Sequence, residues 1–183
     1  MPPTESTGPA RREGWRTLLA WLRDLAIATA LCAFTILFVY QPFRVEGSSM
    51  SPTLQDEEMI LVNKFVYRFE DIRHGDIVVF RTPGSTRKVL VKRVVGLPGD
   101  TVEIRAGEVL RNGLPLEEPY LLPENRDEED DPPVRVPDGQ LYVLGDHRNL
   151  SSDSRSFSFV PARSVSGKCV WIYWPPDRFE RIR

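Results

Sequence analysis

Histidine and cysteine are scarce in this chain: of its 183 residues, two are His and two are Cys. Two cysteines exclude a disulfide-rich scaffold and most structural zinc sites, which need four Cys or His ligands at close spacing. His74 and His147 alone argue against a mechanism built on a histidine cluster. Charge of one sign is also missing. Lys and Arg number 24 against 26 Asp and Glu, a net charge of −2, so the basic surplus of a general nucleic-acid binder is absent and nucleic acid is not an expected partner. No metal and no cofactor are expected. The 41% of apolar residues suffice for a core, and the length suits one compact domain with appendages.

What is present begins with one long apolar run. A polar tail ending in Arg11 and Arg12 gives way to Leu25–Tyr40, sixteen residues without a charge. As a helix these span about 24 Å, short of a bilayer core of about 30 Å. Extending the run back to Leu18 corrects the length and admits Arg23 and Asp24, which can snorkel or pair, while Trp15 and Trp21 suit the interface. A buried helix of a soluble domain is the bland alternative, but the run is not amphipathic. A cleaved secretory signal is the other. The following Gln41-Pro42-Phe43-Arg44-Val45-Glu46 lacks the small residues at alternate positions that cleavage needs. The expectation is an uncleaved signal anchor over residues 18–40. Arg11, Arg12, Arg16 and Arg23 would hold residues 1–17 in the cytoplasm and place residues 41–183 outside it.

Sixteen prolines and twelve glycines favour short strands and turns in the remainder. Runs rich in Val, Ile, Leu and Tyr predict strands at Met59–Val62, Asp76–Arg81, Lys88–Gly96, Thr101–Arg105, Gln140–Leu144 and Cys169–Trp174. Asn112-Gly113 predicts a hairpin between Glu108–Leu110 and Leu114–Leu116. The fold class is therefore mainly β: a transmembrane helix followed by an antiparallel β-sheet domain. Residues 123–133, with six acids and three prolines, read as an exposed acidic loop without chemistry.

Three segments hold candidates for chemistry, and each has an ordinary reading. Cys32 lies in the apolar run and Cys169 in a strand, so neither suits a nucleophile. Ser48, Ser49 and Ser51 lie in Gly47–Leu54, which alone is a loop of turn formers. Alternation puts Lys92 on one strand face with Leu90 and Val94, where desolvation would depress its pKa; a lysine snorkelling from a sheet edge fits the same pattern. Gly145–Arg155 is a polar loop in which Asp153 and Arg155 are spaced to pair.

Taken together and in order, these segments resemble bacterial type I signal peptidases, and the single span resembles Gram-positive-type members. The resemblance rests on Ser49-Met50-Ser51-Pro52-Thr53-Leu54, Gly75–Phe80, Lys92–Asp100, Asn112-Gly113 with Glu118–Leu121, and Gly145–Arg155. It runs from about Phe43 to Trp174. It implies a membrane-anchored serine endopeptidase with the β-fold shared by signal peptidases and repressor-type proteases. The implied roles are Ser49 as nucleophile, Lys92 as general base, Ser151 as the hydroxyl that positions the lysine, and Asp153 and Arg155 as a supporting ion pair. The implied reaction passes through an acyl-enzyme and cuts after an Ala-x-Ala-like site. The implied partners are signal-peptide-bearing pre-proteins emerging from the secretion translocon and the lipid bilayer. A monomer is expected, in the inner (cytoplasmic) membrane with a cytoplasmic N-terminus.

Two positions depart from the family pattern. Gly47 stands where the best-known Gram-negative form has a serine hydroxyl at the oxyanion hole, although many Gram-positive-type relatives also have Gly. His147 replaces the usual Asn and reads as a loop variant, not as a base. A self-cleaving Ser/Lys protease and an inactive membrane-tethered β-domain that binds partners are the competing readings. The anchor opposes the first, and the intact Ser49, Lys92 and Ser151 oppose the second.

Overall fold

A computed structural model describes residues 10–82 and 89–182 of the chain. The tail before residue 10, and Lys88 at the predicted start of a strand, lie outside them. The described chain divides into two compact units at Val39/Tyr40.

The first unit is one helix, α1 (Ala10–Val39), of 30 residues. At about 1.5 Å per residue it is roughly 45 Å long. Its segment Gly14–Thr35 is long and apolar enough to cross a membrane, and none of that window is buried. Large apolar side chains face outward all round it, including Trp21, Leu25, Leu31 and Phe34. The polar groups on this surface are matched internally. Thr29 and Thr35 donate to the carbonyls of Leu25 and Leu31, and Arg23 pairs with Asp24 at 2.8 Å. Such internal pairing is what a hydrocarbon environment demands.

The second unit is mainly β, in two antiparallel sheets. Its strands are β1 (Tyr40–Arg44), β2 (Met59–Asn63), β3 (Ile77–Arg81), β4 (Val89–Gly96), β5 (Thr101–Arg105), β6 (Glu108–Arg111), β7 (Leu114–Pro115), β8 (Asp131–Arg135), β9 (Gln140–Leu144), β10 (Val160–Pro161), β11 (Val165–Trp174) and β12 (Glu180–Arg181). The larger sheet has the order β1-β2-β11-β3-β4-β9-β10, with β12 beside β11; the smaller runs β7-β6-β5-β8. The predicted hairpin is β6–β7, in which Asn112 and Gly113 both take positive φ.

Strands β1, β8, β10 and β12 lie outside the expected strands, and β11 begins earlier than expected. β8 lies partly inside the predicted acidic loop, where Pro132 and Pro133 argue against a strand. It occupies a sheet edge, where a missing N–H costs no ladder bond. β11 starts at Val165, four residues before the predicted Cys169, and bends through register shifts near Gly167. A Cβ at Gly167 would lie 2.4 Å from the Asn63 carbonyl oxygen, so a side chain there is incompatible with the β2–β11 approach.

Three apolar clusters fill the unit. One gathers Val45, Met50, Leu54, Ile60 and Ile172 beneath the turn that follows β1. A second lies over the smaller sheet around Val95, Val102 and Tyr142, and a third around Phe80, Val94 and Val143.

A polar latch joins the turn before β3 to the turn between β4 and β5. His74 Nε2 lies 2.6 Å from Asp100 Oδ2, and Asp100 also accepts from the Leu97 N–H and the Asn112 amide, both at 2.8 Å. Burial pushes the Asp100 carboxyl upward, but the His74 bond and these other donors outweigh it and hold its pKa below the ordinary value. A lowered carboxylate pKa contributes stability in full above about pH 4 and loses it as pH falls through the depressed value. Asp100→Asn should therefore unfold more easily than the parent at neutral pH. The gap, read from denaturant midpoints, should narrow towards about pH 2; a gap independent of pH would show that the carboxylate charge is not what matters.

Candidate active site

Three segments distant in sequence meet at one place. The first is the turn between β1 and β2. Val45 and Glu58 open it with a 2.8 Å bond from the Val45 N–H, and Gly47, at φ +86°, reverses the chain while its N–H donates to Asp56 at 2.7 Å. Such a φ favours glycine. Met50 and Leu54, at 2% and 0% exposure, plug the turn into the first apolar cluster and leave Ser49 partly open above it.

The second segment is β4. Lys92 is 1% exposed, which excludes a lysine snorkelling from an edge. Its Nζ is 2.6 Å from Ser49 Oγ and 3.0 Å from the Val91 carbonyl oxygen. The third is the loop after β9. Arg93 pairs with Leu144 across the antiparallel ladder, so Gly145 falls level with Lys92. A Cβ on Gly145 would lie 2.2 Å from Ser151 Oγ and 2.4 Å from the Ser49 carbonyl oxygen. Gly145 is thus the contact at which the third segment closes on the first.

A buried polar network locks these segments together. Arg93 forks onto Asp146 with bonds of 2.9 and 2.7 Å, and Thr53 donates to the same carboxylate at 2.5 Å. Burial opposes the Arg93 charge, while the hydrogen bonds and attraction from Asp146 exceed that cost and raise its pKa. The Tyr120 ring caps the guanidinium at 3.8 Å. Arg148 is buried against Glu118 and donates to the Gly145 carbonyl at 2.9 Å. Asp153 accepts from the Gly145 N–H at 3.0 Å and binds Arg155 through both oxygens, at 2.8 and 2.9 Å. Arg155 also pairs with Asp127.

A cavity of about 370 Å³ opens at Ser49 and Lys92, walled by Phe43, Val45, Met50 and Leu90. A larger hollow of about 750 Å³ near Lys168 and Ile182 includes neither Ser49 nor Lys92 and carries no comparable pair. Among the described residues no group of His, Cys, Asp and Glu could hold a metal ion. Cys169 is fully buried, and burial followed by the Glu58 charge pushes its thiol up to about 12, so it is not a nucleophile.

The family model described as signal peptidase, peptidase S26, matches residues 18–174. The chain belongs to this family. It is 35% identical over 175 residues to the probable signal peptidase I-1 of Synechocystis sp., covering 92% of this chain and 88% of that one. It is 36% identical over 177 residues to a signal peptidase I of Bacillus licheniformis, covering 91% and 92%. It is 34% identical over 188 residues to signal peptidase I T of Bacillus subtilis, covering 97% and 96%. The chain is thus a peptidase that cleaves signal peptides.

Within this signal peptidase the structure brings Ser49, Lys92 and Ser151 to one place and pairs Asp153 with Arg155. The bond that the resemblance implies from Ser151 to the lysine is not seen: Ser151 Oγ is buried and has no hydrogen-bond partner among the described residues. Sequence reasoning passed over Thr53, Glu118, Tyr120, Arg148 and Asp146 as working residues. It also missed Asn125, which is 5% exposed and donates to the Ser51 carbonyl at 2.9 Å. All but Asn125 sit inside the motif boxes, the only local signal they give. The stretch read as an idle acidic loop supplies both Asn125 and Asp127. Gly145→Ala should push Ser151 and the Ser49 backbone apart, cost about 1–3 kcal/mol of stability and reduce signal-peptide cleavage at least about tenfold. Melting temperature and turnover of a precursor peptide check this, and near-parent turnover would contradict the contact.

Proposed function

We propose that the chain is a membrane-anchored Ser–Lys endopeptidase in which Ser49 attacks the scissile carbonyl and neutral Lys92 is the general base. The observation that carries this reading is the 2.6 Å approach of Nζ to Oγ with the lysine 1% exposed. A serine hydroxyl is a poor nucleophile until a base takes its proton. An ordinary lysine, with a pKa near 10.4, is almost wholly protonated at neutral pH. Burial favours the neutral amine, which is then competent to accept the Ser49 proton and return it to the leaving amine. The acyl-enzyme is released by a water activated by the same amine. The Ser49 N–H makes no hydrogen bond among the described residues, so it is available to the oxyanion.

The substrate enters as an added strand. Among the described residues β1 has a partner only at β2, and Val89–Lys92 of β4 are paired with β3 on one side while pairing with β9 begins at Arg93 on the other. The cavity lies between these two open edges and takes in Phe43–Glu46 and Val89–Lys92. A peptide bound this way places alternate side chains in the cavity. Met50, Val45 and Leu90 limit its depth, which suits the small residues of an Ala-x-Ala site. The helix α1 spans the cytoplasmic membrane with residues 1–17 inside, so enzyme and signal peptides emerging from the translocon share one thin layer. A monomer is sufficient, because every group in this mechanism comes from one chain.

Ser49→Ala and Lys92→Ala should each leave a folded protein with less than a few per cent of parental cleavage. Lys92→Arg should be equally inactive, because Arg keeps its proton. In the parent, kcat/KM for an Ala-x-Ala peptide should climb between about pH 6 and 9 as the lysine deprotonates; a flat profile would remove Lys92 as base. Among substrates, Phe at P1 should reduce kcat/KM at least about a hundredfold and Phe at P2 much less, since P2 points away from the cavity. Equal losses at both positions would refute the added-strand placement.

A further inference from the structure

The peptide group between Ser48 and Ser49 holds an acceptor and a donor that point in opposite directions. Its carbonyl oxygen, on Ser48, takes the Ser51 N–H at 2.9 Å and faces His147 Nδ1 at 3.2 Å. A carbonyl oxygen only accepts, so the proton lies on Nδ1. The His147 N–H meanwhile donates to the Ser49 carbonyl at 3.1 Å. His147 therefore grips the nucleophile from both sides, by its ring on the peptide before and by its backbone on the one after.

The other end of the Ser48–Ser49 peptide is the Ser49 N–H. A peptide unit is planar, so a carbonyl held in place fixes the direction of the N–H trans to it. Donation to that carbonyl also polarises the N–H and strengthens it as a donor. Gly47, two residues before Ser49, adds no second donor beside that N–H. Gly47 has no side-chain donor, and its own N–H is taken by Asp56.

Resting on the assignment of Ser49 as nucleophile, we propose that His147 is a positioning residue whose Nδ1–H aims and polarises the Ser49 N–H towards the oxyanion of the tetrahedral intermediate. It transfers no proton in the reaction. An Asn side chain at this position also presents an N–H and can serve the same carbonyl.

The test uses the full-length chain in detergent, with His147→Ala, His147→Leu and His147→Asn. Three quantities are read beside melting temperature: kcat and KM for an Ala-x-Ala peptide, and inhibition by the peptide aldehyde of the same sequence. The aldehyde carbonyl accepts Ser49 Oγ: a C–O bond forms, the C=O π bond breaks, the hydroxyl proton passes to Lys92, and an alkoxide is left at the oxyanion position. His147→Ala and His147→Leu should lower kcat about tenfold and weaken the aldehyde in proportion, a fraction of what loss of a whole oxyanion donor costs. KM should stay within about twofold, and His147→Asn should recover most of both losses. The proposal is overturned if Ala and Leu variants match the parent in kcat and aldehyde affinity. It is equally overturned if the loss appears in KM, or if the Asn variant melts like the parent yet is as slow as Ala. Should Ala melt early, Leu, which keeps side-chain bulk without a donor, decides. Ser49→Ala run alongside separates the two levels: an active Ser49→Ala sinks the nucleophile assignment itself, whereas an inactive one with an unaffected His147→Ala sinks only the role of His147.

Discussion

Arg93 and Asp146 meet out of water, at 6% and 0% side-chain exposure, through two hydrogen bonds of 2.9 and 2.7 Å. A buried pair of this kind adds little net stability over a well-packed apolar replacement, whereas removing one partner alone costs about 3–5 kcal/mol. Its consequence here is one of registry. Arg93 follows Lys92, Asp146 follows Gly145, and Thr53, which donates to the same carboxylate, lies four residues beyond Ser49. One bidentate contact therefore sets the spacing of the three segments on which the 2.6 Å Ser49–Lys92 approach depends. Directional bonds specify such a distance more narrowly than apolar packing, which tolerates sliding.

Around this pair lies a second layer drawn from the connection between β7 and β8. Glu118 holds Arg148, Tyr120 covers Arg93, Asn125 reaches the Ser51 carbonyl, and Asp127 closes on Arg155. One contact falls on the first of the three segments, one on the second and two on the third. The acidic character of the stretch thus has a local explanation: two of its neighbours are buried guanidinium groups that need carboxylates. Glu128 remains exposed, and Asp130, also exposed, accepts from the Ala106 N–H at 2.5 Å.

The scarcity of histidine is consistent with this design. In the proposed mechanism a lysine placed in an apolar wall takes the role that an imidazole fills elsewhere. The cost of burying Lys92 is met by the surrounding sheet, because β4 is held by β3 on one side and by β9 just past the lysine. The same interruption of pairing leaves Val89–Lys92 with an open edge. In the proposed mechanism, base and binding edge therefore come from one strand.

The class of fold and the position of most strands were legible in the sequence, because alternation and Gly/Asn/Asp turns act within a few residues. The long apolar helix was legible for the same reason, its composition being sufficient without partners. Ser49, Lys92, Ser151, Asp153 and Arg155 were legible only as parts of ordered motif boxes; singly, each had an ordinary reading. β8 escaped because Pro132 and Pro133 oppose a strand everywhere except at an edge, and which strand is an edge is settled by the sheet as a whole. Asn125 and Asp127 escaped because their partners, Ser51 and Arg155, are 74 and 28 residues away, and composition marked them only as polar loop. The missing Ser151 bond and the reach of His147 to the Ser48 carbonyl likewise follow from side-chain directions. The sequence determined which groups are available and which local structure carries them. Only the tertiary structure decided which of them meet, because distances of 2.6–3.2 Å between segments 43 to 99 residues apart arise from the packing of the whole sheet.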